Sequence, residues 1–160
     1  MQPLIVTAAV TLQDDKILIT RRLQEKQQGG LWEFPGGKLH GEESPVEGLK
    51  REIAEELDLA ISVGPIFEAA YYRYDWGPVL VLAYLCRVVG GVIQNLQVAE
   101  HQWIEATQFG RFEMLPADRP IVQKLMEQKH RKLYRDWQQS SGAIKRGEPQ
   151  KVQGANNSSE

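Results

Sequence analysis

The chain has 160 residues, of which 42% are hydrophobic, and its formal net charge is −2 at pH 7. This length supports one domain with one sizeable core, and the near-neutral charge offers no basic field that could hold DNA or RNA. The single cysteine excludes an intramolecular disulfide framework, and the apolar stretches are too short to span a bilayer, so we expect a soluble, cytoplasmic protein with no membrane partner.

The elements predicted first along the chain are strands. Two early β-rich runs are separated by the polar turn QDDK, which is typical of a hairpin, and the segment LWEF predicts a short strand that ends at Pro35. The β-rich runs lie at residues 4–12, 17–21, 61–74 and 79–89, at LWEF, and around Trp103 and Ile104. These patterns predict a sheet of several strands.

The first predicted helix has an explicit start signal. Ser44 is in the N-cap position, Pro45 occupies the first helical position, and Glu47 completes a capping box. Four apolar residues then fall on one narrow arc of the helix. They are Val46, Leu49, Ile53 and Leu57.

The end of the chain combines a helical pattern with a polar tail. A second helix is predicted from residue 118 or 119 to residue 137, with Ile121, Leu125 and Met126 facing inward. From Ser140 onward, few apolar residues are present to offset the entropy of ordering. We therefore predict one domain over residues 1–138 and a disordered tail over residues 139–160.

Three glutamates of the first predicted helix form a pattern that is unfavourable without a cation. Glu52, Glu55 and Glu56 are spaced i, i+3 and i+4, so their carboxylates lie on one side of the helix. Like charges at these spacings repel, and a set of oxygen ligands suits Mg²⁺ or Mn²⁺. The alternative interpretation is a solvated acidic face that is paired with Lys50 and Arg51.

The residues around these glutamates favour the metal site. Gly37, Glu43 and the segment REIAEELDL, separated by five and seven residues, resemble the Nudix box. The segments ITRR, WEFPGGK and LPADRPIVQKL resemble the MutT branch of the same family. The resemblance implies an α/β (α+β) Nudix fold, in which a mixed β-sheet is sandwiched between helices and the box forms a loop-helix-loop.

The resemblance also implies a reaction. The MutT branch hydrolyses nucleoside triphosphates to the monophosphate and pyrophosphate. Carried over to this sequence, the family pattern makes Glu56 and the carbonyl of Gly36 primary metal ligands, with Glu52 and Glu55 in the same catalytic cluster. Glu52 is also the group expected to orient or deprotonate the attacking water.

Substrate contacts are expected near the ends of two strands. Arg22 matches the family arginine that grips phosphate, and its alternative role is that of a surface arginine at a strand end. Trp32 is expected to face the core. The segment that matches the lining of the nucleotide pocket consists of Glu33, Phe34, Pro35 and Gly36.

Two further pairs of residues are expected to have a role near the site. Glu43 and Arg51 are expected to hold the loop and the helix together as an ion pair. The family pattern commonly places an additional metal-binding glutamate six residues before Trp103, where this chain has Gln97. Either a bulge shifts the register so that Glu100 occupies this position, or the site loses one carboxylate.

Two positions depart from the family pattern. Asp58 stands where the box usually has glycine, at a helix end that often adopts the left-handed conformation, at a cost of about 1 kcal/mol. Asp118 stands where the best-known member of the MutT branch has an asparagine that recognises 8-oxoguanine. At a helix start it is expected to stay ionised and only to accept hydrogen bonds. The alternative interpretation is that it has no contact with the base and simply caps the helix.

These features predict an Mg²⁺-dependent hydrolase of (deoxy)nucleoside triphosphates that cleans the nucleotide pool. The expected substrates are CTP, dCTP and modified cytosine nucleotides, or 8-oxo-dGTP, and an ionised Asp118 favours the cytosine amino group. Two alternatives stay open. One is a Nudix hydrolase for ADP-ribose or a dinucleotide polyphosphate, and the other is a non-catalytic nucleotide-binding module. A monomer and a homodimer are both compatible with the sequence.

Overall fold

A computed structural model describes residues 1–127, 135–137 and 139. The chain divides into two units, Met1–Met126 and Glu127–Glu160, and in the second unit residues 135–137 are helical. The elements of the first unit are β1 (Leu4–Gln13), β2 (Lys16–Arg21), β3 (Trp32–Glu33), β4 (Gly36–Lys38), α1 (Pro45–Leu57), β5 (Ala60–Tyr74), β6 (Gly77–Gly90), β7 (Glu100–Ile104), two short 3₁₀ helices (Ala106–Arg111 and Pro116–Asp118) and α2 (Arg119–Met126). None of the helices in the described part of the chain is long and apolar enough to cross a membrane.

The strand β1 lies at the centre of a mixed sheet. The strand order is β3-β2-β1-β6-β5, with β4 also paired to β1 and β7 to β2. β1 runs parallel to β6 and antiparallel to β2 and β4. The predicted hairpin, the two long strands and the short strand around Trp103 are therefore confirmed, and the mixed sheet agrees with the predicted fold class.

The strand β4 was not predicted, because glycine weakens strand patterns. Gly36–Lys38 nevertheless pair with β1, with Gly36 opposite Ala8. The pairing depends on a close approach of two backbones, since a Cβ atom on Gly36 would lie 2.0 Å from the carbonyl oxygen of Thr7. Only glycine fits at this position, and a single sequence does not show which strand will approach it.

The helix α1 begins as predicted. Ser44 accepts a hydrogen bond from the backbone N–H of Glu47 at 3.2 Å, and Glu47 accepts one from the backbone N–H of Ser44 at 2.8 Å, so the capping box is confirmed. The apolar face of the helix packs into a core cluster, in which burial of each large side chain contributes roughly 1.5–3 kcal/mol. This cluster consists of Leu49, Ile53, Leu57, Ala9, Leu18, Leu59, Ile61, Cys86 and Val98.

The helix α2 begins at the predicted residue and buries part of the predicted face. Ile121 and Leu125 are buried, and the helix contacts β5. Met126 is 49% exposed, so its predicted inward orientation is wrong, because it lies about 140° around the helix from Ile121. The predicted continuation to Trp137 crosses residues 128–134, which lie outside the described residues, as do residues 140–160 of the predicted tail.

Asp58 ends α1 in the left-handed conformation, with φ 56° and ψ 36°, as predicted. We expect Asp58→Gly to raise the free energy of unfolding by about 0.5–1 kcal/mol, because glycine adopts this conformation without Cβ strain and the change removes an anion from the helix C-terminus. Urea denaturation measures the effect. Asp75→Gly, at a turn residue without a positive φ, is the control and should be destabilising. A loss of stability in Asp58→Gly would contradict the prediction.

Candidate active site

The segment from Pro35 to Gly37 lies against both β1 and α1. The carbonyl oxygen of Pro35 accepts a hydrogen bond from the backbone N–H of Ala9 at 2.8 Å. A Cβ atom on Gly37 would lie 2.4 Å from the carboxyl carbon of Glu52. The lack of a side chain at Gly37 therefore allows the carboxylate of Glu52 to rest directly against the strand backbone.

Glu52 and Glu56 are one helical turn apart on α1 and line the same cavity. Glu56 is only 7% exposed, and within the described residues its Oε2 atom has no hydrogen-bond partner. Burial, followed by the nearby carboxylates of Glu33 and Glu52, raises the pKa of Glu56 to about 8, although a backbone hydrogen bond from Gly36 acts in the opposite direction. A buried carboxyl with an unpartnered oxygen is unfavourable by itself. Together with Gly36, it fits the donor set of a divalent cation.

Glu55 does not line this cavity. Its side chain is 46% exposed, and its Oε2 atom accepts a hydrogen bond from Nη1 of Arg51 at 3.1 Å. Among the residues that the structure describes, no three His, Cys, Asp or Glu side chains lie close enough together to hold a metal ion. The structure thus brings Glu52 and Glu56 together at the cavity, and the cluster that includes Glu55 stays a prediction.

Arg51 connects the loop before α1 to the carboxylates on the helix. Its Nε and Nη2 atoms donate to the two carboxylate oxygens of Glu43 at 2.9 and 2.7 Å, and Nη1 donates to Glu52 at 3.0 Å. The predicted ion pair is therefore confirmed. Hydrogen bonds from Arg51 and from the backbone of His40 lower the pKa of Glu43 to about 2. Since the guanidinium fork contacts both glutamates, it fixes the orientation of Glu52.

Arg22 lines the cavity but is bound to another residue of the site. Its Nη1 atom donates to both carboxylate oxygens of Glu33, at 3.1 and 3.0 Å, and its Nε atom donates to the carbonyl of Gln27 at 2.9 Å. Burial raises the pKa of Glu33, and the neighbouring guanidinium of Arg22 lowers it. These contacts hold the guanidinium of Arg22 against residues of the protein itself. The contact with phosphate therefore stays a prediction, and the structure adds Glu33 as the group that positions Arg22.

Asp118 is buried, with 4% exposure. Its Oδ2 atom accepts a hydrogen bond from the backbone N–H of Phe34 at 3.2 Å, so its contact is with the strand segment rather than with the first turn of α2. Burial first, and then the carboxylate of Glu33, raise the pKa of Asp118 to about 8. Burial therefore acts against the prediction that Asp118 stays ionised, because sequence position shows the helix start but not the loss of solvent.

These groups share one cavity of about 430 Å³, a size typical of small-molecule sites. Its lining has an acidic part, a basic part and an apolar part. The acidic side chains are Glu33, Glu52, Glu56 and Asp118, the basic ones are Arg22, Lys26 and Lys38, and the apolar ones include Leu4, Val6, Phe34, Val79, Val81 and Leu115. Acidic groups that could hold cations therefore lie beside basic groups and a surface suited to an apolar ring.

Some predicted positions lie outside this cavity. The side chain of Pro35 is fully buried beside it. Gln97 is exposed and donates its backbone N–H to the carbonyl oxygen of Glu56 at 3.2 Å, while Glu100 lies on β7 and accepts a hydrogen bond from Gln102. Neither side chain lines the cavity, so the structure brings neither candidate for the additional metal ligand to it.

Two aromatic residues of the cavity were not predicted. Tyr74 and Trp76 line it from the end of β5 and from the turn that follows. Tyr72, Tyr74 and Trp76 recur at every second position, which is the spacing of side chains on one face of a strand, and the row continues into the turn at Trp76. This alternation is the signal that could have identified them. Trp32, by contrast, is buried as predicted.

A family model described as the NUDIX domain matches residues 1–137. The chain therefore belongs to the Nudix family, and the resemblance found in the sequence is confirmed.

Relatives with curated names give the class of activity. The CTP pyrophosphohydrolase of Escherichia coli is 35% identical over 129 residues, which cover 79% of this chain and 93% of that protein. The 8-oxo-dGTP diphosphatase of Haemophilus influenzae is 26% identical over 115 residues, which cover 72% of this chain and 85% of that protein. A MutT protein from methicillin-resistant Staphylococcus aureus has a similar solution structure, with a TM-score of 0.64 at 30% identity, covering 78% of this chain and 96% of that one. The chain is a Nudix hydrolase, which disfavours the non-catalytic alternative.

Proposed function

We propose that this hydrolase cleaves (deoxy)nucleoside triphosphates with water to give the nucleoside monophosphate and pyrophosphate, with Mg²⁺ as the metal and Mn²⁺ as a possible substitute. The observation that carries this proposal is the buried, unpartnered carboxyl oxygen of Glu56 beside Glu52 in a nucleotide-sized cavity. Relatives named for CTP and for 8-oxo-dGTP support a triphosphate substrate rather than ADP-ribose.

The proposed roles of the residues rest on the family resemblance and, for Glu52 and Glu56, on their place in the cavity. Glu56 and the carbonyl of Gly36 would hold the metal, with Glu52 and Glu55 as further carboxylates. When bound, a divalent ion offsets phosphate charge and lowers the pKa of water. Glu52, which Arg51 holds in place, would orient the attacking water or take its proton.

Phosphate and base would contact different parts of the cavity. Arg22 would bind a phosphate with its guanidinium while Glu33 holds its Nη1 atom. The segment from Glu33 to Gly36 would line the nucleoside site. A neutral Asp118 presents one O–H donor and one acceptor, which match the ring acceptor and the amino donor of cytosine. The same donor and acceptor would also match the carbonyl and the N–H of a guanine edge, so Asp118 alone does not select the base. We propose that cytosine nucleotides are used at least as well as 8-oxo-dGTP, which the relative named CTP pyrophosphohydrolase, at 35% identity, supports.

Pyrophosphate release from triphosphates, and formation of AMP and ribose 5-phosphate from ADP-ribose, test the proposal across a substrate panel. The panel contains the common (d)NTPs, 5-methyl-dCTP, 8-oxo-dGTP and ADP-ribose, each with Mg²⁺, with Mn²⁺ and with EDTA. We expect release from triphosphates with either metal, none in EDTA, and rates with cytosine nucleotides at least equal to those with 8-oxo-dGTP. Hydrolysis of ADP-ribose alone would overturn the triphosphate assignment, and a strong preference for 8-oxo-dGTP would overturn the cytosine assignment.

The substrate preference is expected to depend on pH through Asp118. Its carboxyl faces Glu33, Arg22 and Tyr74. Because its pKa lies near 8, it is mostly neutral at pH 7 and loses its donor as the pH rises. We expect kcat/KM for dCTP in the wild type to fall about tenfold relative to Asp118→Asn between pH 7 and pH 9, because asparagine keeps its donor throughout.

The measurement is the ratio of kcat/KM between wild type and Asp118→Asn, at each pH, for dCTP, 5-methyl-dCTP and 8-oxo-dGTP. The ratio cancels the titration of groups that both proteins share. Parallel pH profiles for the two proteins would show that Asp118 does not donate a hydrogen bond to the base.

The domain boundary leads to a further proposal and prediction. We propose that the catalytic domain spans residues 1–138, acts in the cytoplasm and functions as a monomer or a homodimer. Deletion of residues 140–160 should leave kcat/KM and the melting temperature nearly unchanged, because this segment has little apolar surface to bury. Thermal melts of both proteins test this, and a drop of several degrees would indicate that the tail docks on the domain.

A further inference from the structure

Three aromatic side chains form a continuous row along β5 and into the turn that follows it. The rings of Tyr72 and Tyr74 lie 4.6 Å apart at 60°. The rings of Tyr74 and Trp76 lie 5.3 Å apart and are almost parallel, with an interplanar angle of 6°. The indole of Trp76 is therefore stacked on one side and held in a defined orientation.

The middle ring of this row is anchored beside the residue that faces the base site. The hydroxyl oxygen of Tyr74 accepts a hydrogen bond from the backbone N–H of Ala117 at 3.2 Å, and Ala117 directly precedes Asp118. Both Tyr74 and Trp76 line the cavity that contains Asp118, Glu52 and Glu56. The row is thus fixed relative to the proposed hydrogen-bonding group of the base site.

Trp76 nevertheless remains 41% exposed. A tryptophan with this much exposed surface, fixed on one side by a stacked ring and lining a cavity, offers a flat apolar surface to a ligand. An aromatic surface of this kind binds a nucleobase by stacking and is tolerant of its identity, because every base has a π-face. Asp118, by contrast, would discriminate between bases by hydrogen bonding.

We propose that Trp76 stacks on the nucleobase of the substrate and is a specificity-determining residue that favours nucleotides over polyphosphates without a base. The inference rests on the proposed function, since it assigns the base contact of the same cavity. Tyr74 supports the indole from behind and connects it to the Asp118 segment.

The substitution Trp76→Ala tests the proposal. We expect it to raise KM for CTP and for 8-oxo-dGTP by about 10- to 100-fold, the usual effect of losing one stacking contact, while kcat changes by less than about threefold. The inhibition constant of inorganic tripolyphosphate, which has no base, should be the same in both proteins. Trp76→Phe, which keeps an aromatic ring, should recover most of the loss.

Tyr71→Ala is the matched control, because Tyr71 is an exposed aromatic residue on the opposite face of β5, with 54% exposure, and does not line the cavity. Its KM values should equal those of the wild type. An unchanged KM in a folded Trp76→Ala protein would overturn the stacking role, and so would an equal loss of affinity for tripolyphosphate. A wild type that releases no pyrophosphate from any nucleotide would instead refute the proposed function, so the two failures are distinguishable.

Discussion

Replacing Glu52 with glutamine is expected to lower kcat by about 10²- to 10⁴-fold, because the amide can neither take a proton from water nor carry the charge that orients it. The fold should persist. Glutamine has almost the same volume, and its side-chain oxygen can still accept the hydrogen bond that Arg51 donates to Glu52 at 3.0 Å. Steady-state pyrophosphate release at saturating Mg²⁺ measures the effect, and a thermal melt checks the fold.

Glu42→Gln is the control for this experiment. Glu42 is an exposed glutamate in the loop before α1, and its substitution removes the same charge outside the cavity. Its kcat should match that of the wild type. Near-normal turnover in Glu52→Gln at saturating Mg²⁺ would remove Glu52 from the catalytic step and favour the solvated acidic face.

The second large effect is expected from Glu56→Gln, which should change both the rate and the response to metal. Turnover should fall by about 10²-fold or more, because metal binding supplies several kcal/mol of transition-state stabilisation. In the wild type, Mg²⁺ should raise the melting temperature, since it binds the folded state selectively. This increase should be absent from Glu56→Gln, which has lost the buried anionic ligand.

Without metal, Glu56→Gln should be more stable than the wild type. The pKa of Glu56 is raised from 4.5 to about 8 in the fold, so its neutral form is favoured there. The contribution of Glu56 to the free energy of unfolding is therefore greatest below pH 4.5 and falls as the pH rises towards 8. Glutamine does not titrate, so in EDTA the melting temperature of Glu56→Gln should exceed that of the wild type by a margin that grows from pH 5 to pH 8. An Mg²⁺-dependent increase in the variant equal to that of the wild type would exclude Glu56 as a ligand.

The features that sequence predicted best are determined by near neighbours. Ser44 and Glu47 form a capping box within one helical turn, and Asp58 adopts the left-handed conformation that follows from its place at the helix end. The pair between Glu43 and Arg51 also spans only a loop and part of one helix. In each case the interaction depends on spacing along the chain, which a single sequence displays.

The features that sequence missed depend on distant segments. The contact between Gly36 and Thr7 requires that β4 lie beside β1. The raised pKa of Asp118 depends on burial and on the approach of Glu33 from β3. The helical spacing of Glu55 places it near Glu52 but does not show that Arg51 holds it towards solvent. Pairing, burial and competition between partners are properties of the folded state.

The parallel pairing of β1 with β6 has a consequence for biosynthesis. Leu4 lies opposite Val79, so 79 − 4 = 75 residues separate the first partners along the chain. At a synthesis rate of roughly 5–20 residues per second, about 4–15 s pass between the synthesis of Leu4 in β1 and that of its partner Val79 in β6. The wall of the cavity that contains Asp118 is synthesised later still. A ribosome-bound chain that stops between β6 and Asp118 therefore has every strand of the central pairing but cannot yet form the complete base site.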